Sequence, residues 1–236
     1  DGNVRLVLNG VSIKSTTGAA VYIENAETTV VQLADDSSNT LQDASTRSDE
    51  SIDGAVYSYD DLVINGNGLL TVKATFADGI VGKDDLNIDG GTLSVTSVDD
   101  GIRGKDSLTI TGGNITVDAG DDGIKSTNET EVDKGFVYIK DGSVTISAGD
   151  DGIKAANEIV IDDGTVAIKN SIEGIESNRI TINGGKVTVY ANDDGINATT
   201  QGLGGDLVVT FAGGEVTVEV GSGDTDGIDS NGDIVV

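Results

Sequence analysis

The phrase Ala119-Gly-Asp-Asp-Gly-Ile-Lys125 returns unchanged as Ala148 to Lys154, and its core recurs in weaker form along most of the chain. Aligned on the glycine, Gly54, Gly79, Gly101, Gly123, Gly152, Gly174, Gly195 and Gly227 fall in one register. Steps of 21 or 22 residues dominate, and longer steps follow Gly54, Gly123 and Gly195. Gly18 opens an earlier, divergent unit. A fixed period of this size means one supersecondary unit per repeat, stacked on its neighbours to make a continuous core.

Within a unit the residues alternate apolar and polar over four to six positions, as in Ser107-Leu-Thr-Ile-Thr-Gly-Gly113 followed by Asn114-Ile-Thr-Val-Asp118. That is strand periodicity, and a helix would need a longer run without breaks. Gly-Gly pairs at 90–91, 112–113 and 184–185 supply tight corners. The prediction is an all-β, single-domain, right-handed parallel β-helix over 1–236, with three short strands per coil of about 22 residues. Ile80, Ile102, Ile124, Ile153, Ile175, Ile196 and Ile228 form one inward ladder, and Leu86, Leu108, Ile159, Ile180 and Ile234 another. Residues 1–53 are read as divergent first coils with a flap loop at 33–51, and 54–236 as regular coils. Polar runs at 129–136 and 199–206 break the period and are read as loops.

Such a ladder core explains a composition that would otherwise suggest disorder. There is no Pro, Cys, Met, Trp or His, and only five Tyr and three Phe. Forty-one acids against 14 bases give a formal charge of -27, which makes nucleic acid and anionic membranes poor partners. No leader, lipidation signal or membrane-length apolar run is visible. Because the text starts at Asp1 without methionine and stops in mid-pattern at Asp233-Ile-Val-Val236, it reads as a mature or trimmed fragment.

Coils in register stack acids in pairs: Asp99 and Asp100, Asp121 and Asp122, Asp150 and Asp151, Asp193 and Asp194. Asp78, Glu173 and Asp226 continue the column singly. Two carboxylates one coil apart repel by about 0.9 kcal/mol in water and about 3.5 kcal/mol at an effective dielectric of 20, so something positive should lie among them. One position past the inward isoleucine runs the column Val81, Arg103, Lys125, Lys154, Glu176, Asn197, Asp229. It is basic in the middle coils, where it can neutralise the acids. In the last coils Glu173, Glu176, Asp193, Asp194, Asn197, Asp226 and Asp229 gather without a base in that column. Oxygen donors alone point to Ca2+ rather than Mg2+, and zinc and copper lack their usual nitrogen or sulfur ligands. The plainer reading is that Asp-Gly corners serve turns and solubility. Neither the EF-hand spacing nor the Gly-Gly-x-Gly-x-Asp nonapeptide is present.

On the DDGI(K/R) phrases at 99–103, 121–125 and 150–154, NDDGIN at 192–197 and the (L/I)xIxGG corners, the chain resembles a bacterial surface family of calcium-binding, right-handed parallel β-helical carbohydrate-binding domains. That family is similar in fold to family 9 pectate lyases. The match runs from about Gly54 to the end. The resemblance implies Ca2+ as cofactor, polygalacturonate as partner and an extracellular or bacterial cell-surface location. In the lyases the calcium pocket resembles Asp-Asp-Gly-apolar-Asp plus an acid from the preceding coil. Asp226 and Asp229 match the second and last acids of that phrase, and Asp193 and Asp194 the preceding coil. Thr225 departs from it at the first acid, while Lys125 and Lys154 stand where the last acid would be in their own phrases.

Three functions follow. The leading one is a non-catalytic, calcium-dependent binding module for acidic polysaccharide, with the metal held by acids from Asp99 to Asp229 and with Arg103, Lys125 and Lys154 meeting ligand carboxylates. Neutral cellulose is a weaker partner, since Tyr57, Tyr59, Tyr138 and Tyr190 offer few stacking platforms. A polysaccharide lyase using Lys125 or Lys154 as base is the enzymatic alternative, although a wet lysine keeps its proton near neutrality. A calcium-stiffened stalk is the structural one.

Overall fold

A computed structural model describes residues 2–223 and 225–236. Among these the chain is all-β, without helix, and winds a parallel β-solenoid of about 9 turns, three strands per coil and about 25 residues per turn. The excess over the expected period comes from a few long steps, Val21 to Val56, Ile124 to Ile153 and Ile196 to Ile228 foremost. The strands form three sheets of 10, 9 and 9 strands, and every pairing is parallel to the strand one coil away. The first sheet runs from Val4–Leu8 to Asp233–Val235, the second from Ser12–Lys14 to Glu215–Val220, and the third from Val21–Ile23 to Ile228–Ser230. No helix among the described residues is long and apolar enough to cross a membrane.

Pairing registers bear out both ladders. On the third sheet Val56, Ile80, Ile102, Ile124, Ile153, Ile175, Ile196 and Ile228 stack in order, all buried except Ile228 in the final coil. On the first, Leu86, Leu108, Val137, Ile159, Ile180, Val209 and Ile234 stack. Val137 and Val209 are rungs that the excursions before them hid from the count. Burying an aliphatic side chain gains about 1.5–3 kcal/mol, and one continuous apolar cluster extends from Leu8 to Val209.

Glycine is required at two places in the coil. At the Asp-Asp-Gly corner a Cβ on Gly101 would sit 2.3 Å from Val117 Cγ1 and 2.5 Å from the Gly123 carbonyl oxygen. At the Gly-Gly corners the second glycine has positive φ, 91° at Gly91 and 96° at Gly113. Gly54 does not belong to the first column: it pairs with Asp78, and Ala55 stands where later coils have glycine.

The flap is narrower than 33–51. Thr28–Leu33 and Ser38–Gln42 are regular strands of the first and second sheets. The excursion is the stretch from Asp43 to Asp53, and it is pinned: Arg47 pairs with Asp43, donates to the carbonyl oxygens of Ile52 and Gly54, and stacks 4.7 Å over the Phe76 ring. Near it, outward-row residues Tyr57 and Val81 are fully buried.

Candidate functional site

The acid column lies where the second sheet turns into the third. Each coil places its inner acid two residues before the ladder isoleucine, giving Asp78, Asp100, Asp122, Asp151, Glu173, Asp194 and Asp226. Asp78, Asp100, Asp122 and Asp151 are buried, whereas the outer acids Asp99, Asp121, Asp150 and Asp193 face solvent to varying degrees. The stack is held by a backbone relay. The amide of Asp100 donates to Asp78 Oδ1 (3.2 Å), that of Asp122 to Asp100 (3.3 Å), that of Asp151 to Asp122 (3.0 Å) and that of Asp226 to Asp194 (2.8 Å). One lone pair of each carboxylate is therefore satisfied by the next coil, which fixes the side chain facing along the axis.

The basic column threads between these rungs. Arg103 Nε donates to Asp78 (2.8 Å) and its Nη2 to Asp53 (2.5 Å), so the guanidinium ties the pinned excursion to the ladder. Lys125 Nζ lies 2.6 Å from Asp122, 3.4 Å from Asp100 and 4.0 Å from Asp121. Lys154 Nζ lies 2.5 Å from Asp151 and 2.9 Å from Glu176. The side chains of the three bases are only 15%, 23% and 26% exposed. Each of them is engaged with the carboxylates of the ladder. Lys125 and Lys154 are raised above the ordinary lysine range: burial works against the charge, and the surrounding carboxylates outweigh it.

Even so, the acids outnumber the bases. Burial is the main force pushing Asp78 up to about 6, Asp100 to about 7 and Asp151 to about 8; neighbouring carboxylates add to it and the bases only partly offset it. Glu173 and Glu176 are also raised, first by burial, with neighbouring carboxylates adding to it.

Three groups of acids bring oxygens within 4.8 Å of one another: Asp99, Asp100 and Asp121; Asp121, Asp122 and Asp150; Asp151, Glu173 and Glu176. The first two share Asp121 and lie at the solvent edge. Beside the third, Asn197 donates from Nδ2 to Glu173 (3.0 Å) while its buried Oδ1 has no partner. A hard cation fits the oxygens of this donor set: it would compete with the Lys154 ammonium for Asp151 and Glu176, and it would satisfy the Asn197 Oδ1 acceptor. Asp193, Asp194, Asp226 and Asp229 are in register but form no such group among the described residues. Asp226 lies exposed on the final coil, where no described later coil covers it.

Two features escaped the sequence reading. Tyr22 stacks in register on Tyr57, and with Tyr59 they form an aromatic cluster with centroids 5.2–6.1 Å apart. Asn128, Asn157 and Asn178 are buried at the opposite corner of the third sheet; Asn128 donates to Asp106 (2.7 Å), and Asn157 to carbonyl oxygens of the 127–135 excursion. A recurring Asn three or four residues past the ladder isoleucine was the available signal.

The fold and site define a class: parallel β-solenoids that carry a charged ladder on one edge. Within it, the family model for "carbohydrate-binding domain-containing protein" matches residues 1–232, and the chain belongs to that family. A carbohydrate-binding domain-containing protein of Acetivibrio thermocellus is 43% identical over 95 residues, which is 38% of this chain. The match spans 33% of that relative's length. Among solved structures, a polysaccharide lyase-like protein from C. thermocellum, studied as a gadolinium derivative, is similar with a TM-score of 0.68 and 32% identity. That match covers 95% of this chain and 77% of the other.

Proposed function

We propose that the protein is a non-catalytic module that binds acidic polysaccharide, polygalacturonate foremost, through Ca2+ held on the acid edge, and that it does so outside the cell at a bacterial surface. The observation that carries the reading is the pair of oxygen-only groups sharing Asp121 at the solvent edge. A polyanion cannot approach a chain of charge -27 without a bridging cation. Ca2+ accepts six to eight oxygens, so an ion held by three carboxylates, one of them buried in each group, keeps positions open for a uronate carboxylate. Arg103, Lys125 and Lys154 then set the spacing of the rungs and act on the ligand through the acids they hold. The family description and the lyase-like relative support a carbohydrate partner.

The lyase-like relative favours one second reading, elimination chemistry. It requires a neutral base, and the paired, raised lysines are poor ones. Release of unsaturated, ultraviolet-absorbing products from polygalacturonate would establish it.

The binding reading is tested by electrophoresis through gels containing polygalacturonate, pectin, alginate or cellulose, with Ca2+ or with chelator. Retardation in polygalacturonate that chelator and Asp121→Ala both abolish is the expected result. Mobility that polygalacturonate leaves unchanged, or retardation indifferent to chelator, would overturn it.

A further inference from the structure

A cavity of about 530 Å3 opens on a different face, the outer side of the first sheet, and none of the acid ladder lines it. Alternation along the strands points Leu86, Leu108 and Val137 inward, and so turns Asp85, Ser107 and Phe136 outward in a single row that also holds Asp61. Tyr138 stands two residues on in the next row, stacked on Phe136 with centroids 5.7 Å apart and planes at 25°. One wall is built by the 127–135 excursion, which contributes Asp133 and Lys134 and which the solenoid period does not need.

Charge in this cavity is unbalanced. Lys134 is spent on Asp106 (2.8 Å) and Glu131 (3.2 Å), and with Asn128 it brings Asp106 below the ordinary carboxylate range although burial works the other way. Asp61, Asp84, Asp85 and Asp133 have no salt-bridge partner among the described residues. Asp61 and Asp84 are raised, first by burial and then by neighbouring aspartates. The lining acids form none of the groups whose oxygens converge within 4.8 Å, so their spacing does not suit one metal ion. A broad aromatic face beside dispersed, unpaired carboxylates suits an organic cation that has a ring to lay on the aromatics.

We infer that this cavity is a second glycan site, selective for an amino sugar with a free ammonium group, in which Phe136 and Tyr138 carry the ring face and Asp61, Asp84 and Asp85 receive the ammonium. It is independent of the calcium-bridged edge, because the two sites lie on different sheets and want ligands of opposite charge.

Calorimetric titration with a fully deacetylated glucosamine tetramer at mildly acidic pH tests it, with the N-acetylated tetramer and tetralysine as further arms. The variant is Phe136→Ser with Tyr138→Thr, which installs the residues that Ser107 and Thr109 already place in the same rows one coil earlier. It leaves the net charge untouched, so it separates a built site from general attraction to an acidic protein. The expected result is binding of the glucosamine tetramer that falls by about tenfold or more in the variant and in Asp85→Asn. Calcium-dependent retardation by polygalacturonate should persist in both variants, so failure here is distinguishable from failure at the acid edge. No binding by the natural protein, undiminished binding by the aromatic variant, or equal affinity for the N-acetylated tetramer would overturn the assignment. Tetralysine binding as tight and as dependent on the aromatic pair would reassign the cavity to a peptide and overturn the sugar.

Discussion

At the scale of single residues, the inner acids are held against their own charge. Asp100 titrates at about 7 and Asp151 at about 8, against 3.8 for a free aspartate, chiefly because both are buried. The folded chain therefore binds more protons than the unfolded chain between about pH 4 and pH 8, and stability is lost as pH rises through that window. Chelator-treated protein should melt at a higher temperature near pH 5 than near pH 8, the reverse of the common trend for paired carboxylates. Saturating Ca2+ should flatten or invert the difference by holding the acids ionised. Calorimetric melts across that range check it, and a chelated protein that gains stability toward pH 8 would refute the ladder's energetics. The acid column itself was legible because Asp-Asp-Gly repeats at the coil period. Burial of its inner member was not, because sequence spacing does not show which of two adjacent acids turns into the corner.

Among elements, the excursion from Asp43 to Asp53 shows how one ion pair orders a segment whose text is polar and aperiodic. Arg47 and Asp43 are almost wholly buried, and Asp43 Oδ1 also accepts from Thr75 N (2.6 Å) and Thr75 Oγ1 (2.9 Å). Removing one member of a buried pair leaves the other charge unsolvated and costs about 3–5 kcal/mol. Arg47→Ala should lower unfolding free energy by that amount, read by denaturant titration, and speed amide exchange through 43–53 more than at the isoleucine ladder. Unchanged stability would mean that the pair does not hold the flap. No periodic signal marks such a pin, which is why the loop was drawn too wide and Ser38–Gln42 was missed. The same blindness displaced Gly54 by one position and skipped Val137 and Val209, since each follows a long step that breaks the count. Where steps stayed at 21 or 22 residues, as from Gly79 to Gly123, the ladder was read residue for residue.

For the molecule as a whole, stacking turns a local turn motif into a long-range electrostatic object. Every coil from Asp78 onward adds carboxylates at nearly the same lateral position. Three bases in the outward column cancel part of the charge between Asp53 and Glu176, and the surplus collects in three oxygen groups along one edge. The central claim is that this surplus is a cation site. Titration calorimetry of Ca2+ into chelator-stripped protein near neutral pH, repeated in buffers of different ionisation enthalpy, addresses it most directly. The account predicts saturable binding with release of protons from Asp100 and Asp151, and weaker binding in Asp121→Ala. Absence of saturable binding, or binding that releases no protons, would contradict it.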